Sequence, residues 1–205
     1  MTVSPDAPRY LALGDSYTIG EGVDTTDRWP VQLAAALRQS GVEIADPQIL
    51  ATTGWTTDEL DAAITEAAPQ GPYALVTLLI GVNDQYRGRD VERYRERFAG
   101  LLDRAVEFAG GDRQRVVVVS FPDWGQTAFA GSDERGREQI AREVDAFNAA
   151  AQAVTEAAGI AWVDITPLSR TQGAMTVGDD LHPNGEAYRA WTERILPAAR
   201  AALAE

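Results

Sequence analysis

Strand-length apolar runs, separated by segments with helical spacing, constrain this chain more than any other feature. Residues 10–13 (Tyr-Leu-Ala-Leu) end at Gly14, and residues 73–80, nearly all apolar, end at Gly81. Four consecutive valines at 116–119 end at Ser120, and residues 160–163 end at Asp164. A weaker run at 42–50 is interrupted by Pro47. A run with no polar alternation has no wet face, so it suits a strand buried on both sides, as in a parallel sheet covered by helices.

The intervening segments carry the complementary signal. Val91, Tyr94, Phe98, Leu101, Ala105 and Phe108 recur every three or four positions, starting just after Asp90, a good helix N-cap. Ile140, Val144, Phe147, Ala151 and Val154 repeat the pattern, as do Ala187, Trp191, Ile195 and Ala199. Thr56 and Glu59 have capping-box spacing ahead of Leu60, Ala63 and Ile64. Strand and helix in alternation predict a doubly wound α/β sheet with right-handed crossovers. With 205 residues and no repeat, low-complexity tract or long linker, a single domain over residues 1–205 is expected.

Such a sheet also predicts where chemistry sits: beyond the carboxyl ends of the strands, near the reversal of strand order. Four segments follow predicted strand ends, namely Gly14-Asp15-Ser16, residues 52–55, residues 81–84 and residues 120–124. Ser16 on its turn presents a hydroxyl for attack and a backbone N–H for a developing oxyanion. The same position suits an ordinary turn or N-cap serine. Gly54 allows close backbone approach to a ligand or simply makes a turn. The Asn83 amide is a candidate oxyanion donor or a turn-former. No Gly-x-Ser-x-Gly nucleophile elbow occurs.

The chain has one histidine, His182, in Asp179-Asp180-Leu181-His182-Pro183. Imidazole is the side chain whose ordinary charge change lies near neutral pH, so serine-based acyl chemistry here has His182 as its only ready base. Asp179 is placed to hold the ring, and Asp180 competes for that role. Past the fourth strand, Trp124 and Phe129 are candidate walls of a substrate pocket, with Trp124 equally suited to packing. Tyr86 and Arg87, just past Asn83, are candidate rim residues.

Gly-Asp-Ser after the first strand, glycine after the second, Gly-x-Asn-Asp after the third and Asp-x-x-His-Pro before the last helix appear in that order. In this arrangement the chain resembles the SGNH hydrolases, the GDSL-type esterases and lipases, over nearly its whole length. The resemblance implies a flavodoxin-like three-layer α/β/α sandwich with a five-stranded parallel sheet. It further implies Ser16 as nucleophile, His182 as base and Asp179 as its orienting partner. The Ser16 N–H, the Gly54 N–H and the Asn83 side chain would then form the oxyanion hole. Tyr17 stands where the family's usual label has leucine, which weakens any transfer of substrate preference.

The expected function is therefore hydrolysis of a small-molecule carboxylic ester, with a short acyl chain, through an acyl-serine intermediate and with no cofactor. Sugar deacetylation and thioester cleavage are variants of the same chemistry, and a silent ligand-binding domain is the alternative of another class. A flavodoxin-like nucleotide or flavin binder fits poorly, because Gly14-Asp15-Ser16-Tyr17 puts a carboxylate where a phosphate would sit, with no Walker-type lysine following. The absence of cysteine excludes disulfides and thiolate ligands, and a single histidine disfavours a metal site. A net charge of −13 disfavours nucleic acid and anionic membranes as partners. No basic-then-apolar leader or membrane span is visible, so a cytoplasmic location is expected. The sequence leaves the oligomeric state open.

Overall fold

The computed structural model describes Ser4 and residues 6–204; the rest of the amino-terminal stretch, including Pro5, lies outside the described residues. Five strands form one all-parallel sheet in the order β2-β1-β3-β4-β5. They are β1 (Tyr10–Gly14), β2 (Gln48–Ala51), β3 (Leu75–Leu79), β4 (Val116–Val119) and β5 (Ala161–Val163). The three central strands β1, β3 and β4 are buried at every residue, as their unbroken apolar runs require. Tyr10 inside β1 keeps its hydroxyl satisfied by pairing with Thr77 Oγ1 across the sheet at 3.0 Å.

The weak run at 42–50 shortens to β2 at the sheet edge, where two of its four residues are half-buried and Gln48 is exposed. Pro47 has no N–H for a ladder, and the Ala45 N–H bonds instead to the Pro8 carbonyl, 2.8 Å away. Edge strands need only one neighbour, so they carry less apolar signal.

The helices are α1 (Ser16–Ile19), α2 (Trp29–Gln39), α3 (Thr57–Ala67), α4 (Val82–Tyr86), α5 (Val91–Phe108), α6 (Arg137–Ala157), α7 (Thr166–Ser169) and α8 (Gly185–Ala202). Asp90 caps α5 by accepting from the Arg93 N–H at 2.9 Å. Glu59 accepts from the Thr56 N–H at 2.9 Å, closing the capping box of α3. Both caps fall where their sequence signatures put them. The sequence pattern passes over α2, whose Trp29, Leu33 and Leu37 are wholly buried. Its apolar stripe packs on α8, while α5 packs between α3 and α6. With right-handed crossovers these two groups cover opposite faces, because the chain reverses direction across the sheet after β2. Each wholly buried leucine, such as Leu11, Leu13 and Leu78, contributes roughly 1.5–3 kcal/mol by leaving water.

Strand order 2-1-3-4-5 puts the reversal between β1 and β3. The ends of those strands carry Ser16 and Asn83. Among the described residues no helix is long and apolar enough to cross a membrane.

Candidate active site

The site grows from the end of β1. A Cβ on Gly14 would lie 2.2 Å from Thr18 Oγ1 and 2.5 Å from the Leu79 carbonyl, so the crossing of β1 with β3 admits only glycine here. The next residue, Asp15, is the N-cap of α1: its Oδ1 accepts from the Tyr17 N–H at 3.0 Å. That cap sets Ser16 as the first residue of a single helical turn, with its backbone carbonyl bonded to the N–H groups of Gly20 and Glu21.

Asp15 is fully buried, and its Oδ2 has no hydrogen-bond partner. Burial pushes its carboxyl up to about 8; the Tyr17 N–H opposes the shift and the nearby Asp84 charge adds to it. The consequence for stability has a definite sign. The unfolded chain loses this proton near pH 4, whereas the fold keeps it to about 8. Across that window the unfolded state binds fewer protons, so Asp15 makes stability fall as pH rises. Asp15→Asn retains the acceptor for the Tyr17 N–H and cannot ionise. Its stability relative to wild type is therefore expected to rise between about pH 5 and about pH 8 in urea unfolding. A difference that does not change with pH would contradict a buried proton on Asp15.

The histidine arrives on a different loop. Residues 175–177 and 182–184 pair in a short antiparallel turn, with the Val177 N–H bonded to the His182 carbonyl at 2.8 Å and the Asn184 N–H to the Met175 carbonyl at 2.9 Å. Inside that turn Asp179 Oδ1 accepts from the Leu181 and His182 N–H groups, both at 2.9 Å. Its Oδ2 lies 2.5 Å from His182 Nδ1. Partial burial pushes the Asp179 carboxyl up, but the bonds from the His182 ring and the two backbone N–H groups outweigh it, and the carboxyl sits below its usual range. An ionised carboxylate accepts only, so Nδ1 carries a proton and donates it to Asp179. The Tyr17 ring packs against the imidazole, centroids 5.6 Å apart. Asp180, the competing carboxylate, sits at φ 60 and offers the ring no bond. Its backbone carbonyl instead accepts from the Phe129 N–H at 3.1 Å, tying the histidine loop to the segment after β4.

Ser16, Gly54, Asn83 and His182 line a common cleft. Tyr86, Trp124, Phe129, Val82 and Leu181 supply its apolar lining. Of the site residues expected from sequence, Ser16, Gly54, Asn83, Tyr86, Trp124, Phe129 and His182 line the cleft, whereas Asp179 is held behind His182 and Arg87, the other rim candidate, does not line it. Trp124 is both packed and in the cleft lining. It is almost wholly buried, its Nε1 donates to Gln85 Oε1 at 2.8 Å, and its ring still forms cleft wall between the edges of Tyr86 and Phe129. Gln85 in turn donates to Glu143 on α6 at 2.7 Å. Tyr86 and Phe129 are the two exposed large hydrophobic residues among those described.

The second half of the Asn83-Asp84 pair has more to do than a turn residue. Asp84 is fully buried and accepts from both the N–H and the hydroxyl of Thr57, each at 2.9 Å, and from Arg89 at 3.2 Å. It thereby locks the start of α3 onto α4. Periodicity cannot reveal this role, because the partners are 27 residues apart.

Residues 12–190 match the GDSL-like lipase/acylhydrolase family model. Among solved structures the chain is similar to TesA, with 21% identity, a TM-score of 0.73 and coverage of 95% of this chain and 99% of that one. It is similar to phospholipase A1 from Streptomyces albidoflavus NA297, with 20% identity, a TM-score of 0.67 and coverage of 95% and 99%. A third is the psychrotrophic esterase EstA from Pseudoalteromonas sp., in a structure inhibited by monoethylphosphonate, with 16% identity, a TM-score of 0.68 and coverage of 94% and 97%. No curated protein matches the sequence. At these identities the structural neighbours establish the fold, and the family model, spanning most of the chain, establishes the kinship: this protein belongs to the GDSL-like lipase/acylhydrolase family and is an SGNH-type hydrolase.

Proposed function

We propose that the chain hydrolyses carboxylic esters of short acyl chain through an acyl-serine intermediate, with Ser16 as nucleophile, His182 as base and Asp179 as its partner. The observation that carries this reading is the pairing of Asp179 with His182 Nδ1 at the wall of the cleft that also holds Ser16. In acylation the Ser16 hydroxyl gives its proton to His182 Nε2 as its oxygen bonds to the ester carbonyl carbon. The carbonyl oxygen takes the negative charge and is met by the Ser16 N–H, the Gly54 N–H and the Asn83 amide. When the tetrahedral adduct collapses, the C–O bond to the alcohol breaks and the imidazolium protonates the leaving oxygen. Water then repeats the sequence on the acyl-serine and releases the acid.

The apolar lining of the cleft supports an ester with one apolar half, held between Tyr86 and Phe129 over Trp124. Similarity to an esterase inhibited by a phosphonate is in keeping with a serine nucleophile. A series of p-nitrophenyl esters of increasing acyl length, run beside acetylated xylan and an acyl-CoA, tests the reading. Highest kcat/KM on short p-nitrophenyl esters supports it. A preference for the sugar ester or the thioester by more than about tenfold, or 1.4 kcal/mol, would replace it with one of those activities.

The oxyanion assignment has its own test. Asn83→Ala is expected to lower kcat by roughly 10²–10³ while leaving KM nearly unchanged, because the donor acts on charge that develops in the transition state. Its amide also donates to the Trp55 carbonyl at 2.9 Å. A rise in KM with kcat preserved would make Asn83 a residue of that turn and nothing more.

A further inference from the structure

Gly54 sits at φ 87, in the left-handed region. A Cβ built on it meets a single neighbouring atom within 4 Å, Arg87 Nη2 at 3.9 Å, so side-chain packing does not hold this residue. Glycine populates both signs of φ readily. The direction of its N–H therefore depends on hydrogen bonds made by the peptides around it. The Trp55 N–H closes the turn onto the Thr52 carbonyl at 3.2 Å. The Thr53 hydroxyl donates to Glu21, on the loop that follows the Ser16 turn.

The third tie is Arg87, the residue after α4. Its Nη2 donates to the Gly54 carbonyl at 2.7 Å, and its Nη1 donates to Glu59 Oε1 at 3.2 Å. Glu59 is itself fixed, because it closes the capping box of α3. One turn earlier on the same segment, Asn83 grips the next carbonyl of the loop, that of Trp55. The segment bearing one oxyanion donor thus holds two successive carbonyls of the loop bearing another.

We infer that Arg87 is a positioning residue for the oxyanion hole. It anchors the peptide between Gly54 and Trp55, the same one whose N–H closes onto Thr52. Through the turn so held it limits the direction of the Gly54 N–H, so that this donor and Asn83 converge on one point. The inference rests on the esterase reading above. Arg87 and Glu59 are both about two-fifths exposed, and exposed ion pairs contribute little to stability. The effect of losing Arg87 should therefore appear in the transition state and not in folding.

The full chain is assayed with p-nitrophenyl acetate for kcat and KM, with phenylboronic acid as a tetrahedral mimic for inhibition, and by thermal melting. Arg87→Met is expected to lower kcat by roughly 10–100-fold, less than outright loss of a donor but typical of a displaced one. KM should stay within about twofold, phenylboronic acid should weaken by a similar factor to kcat, and Tm should move by no more than ~2 °C. Arg87→Lys keeps the charge and the stem but cannot span Gly54 and Glu59 together. It should show the same pattern at smaller amplitude, and it keeps the test open if the methionine variant folds poorly. A kcat within twofold of wild type, a loss confined to KM, or unchanged boronic acid affinity beside a fallen kcat would overturn the role. Ser16→Ala run in parallel separates the two levels. If it keeps the wild-type rate, the esterase reading itself fails; if it is inactive while Arg87→Met is fully active, only the role of Arg87 is lost.

Discussion

Ser16→Ala and His182→Ala are each expected to abolish ester hydrolysis almost completely, by about 10⁶ in kcat, because nucleophile and base act as a unit. The double variant should lose scarcely more than either alone. Stability should change little for Ser16→Ala, since the hydroxyl holds nothing up. The turn that carries it is built from backbone bonds to the Ser16 carbonyl and from the Asp15 cap. A fluorophosphonate should label wild type once, with mass spectrometry placing the adduct on Ser16. Labelling at another serine, or a Ser16→Ala variant that still turns over, would rule out the assignment. His182→Ala should also resist labelling, because the hydroxyl then has no acceptor for its proton.

The second large effect separates two adjacent carboxylates. Asp179→Asn is expected to cost about 10⁴ in kcat, whereas Asp180→Asn should cost less than about tenfold. Asparagine at 179 keeps the shape of the side chain and an acceptor for the Leu181 and His182 N–H groups. It loses the charge that stabilises the imidazolium, and its NH₂ group facing Nδ1 favours the tautomer with the proton on the wrong nitrogen. Asp180 makes no bond to the ring, and its φ of 60 is one that asparagine tolerates well. Asp180→Asn should therefore leave both the loop and the Phe129 anchor in place. Parallel kcat/KM measurements decide the matter, and equal losses at the two positions would mean that Asp179 acts through the loop and not through the ring.

Much of this protein is legible in its amino-acid order alone. Runs such as the valines at 116–119 announce strands buried on both sides, because no polar side chain interrupts them to face water. The spacing of Tyr94, Phe98, Leu101 and Ala105 announces one apolar helix face, and those four residues are buried on α5. Asp90, Thr56 and Glu59 mark helix starts by chemistry that is complete within four residues. The single histidine narrows the choice of base to one residue, and the order of the motifs identifies the family.

Other features depend on where separate loops meet, and no local pattern records that. Residues 42–47 carry apolar side chains yet make no strand, because Pro47 lacks an N–H and the edge of the sheet demands no more. The helix Trp29–Gln39 passes unread, since a tryptophan and a proline at its start hide a stripe that α8 covers. Asp179 and Asp180 are chemically alike in sequence. The turn closed by Val177 and His182 aims the first at the ring and turns the second away. Asp84 reads as a turn residue until Thr57 is brought to it from 27 positions away, and Arg87 reads as a rim residue until the Gly54 carbonyl is brought to it from 33. Local sequence determines which segments bury a face and where they stop, since burial and capping are satisfied within a few residues. The hydrogen-bond partner of a loop residue is determined only once the sheet has closed and brought distant strand ends side by side.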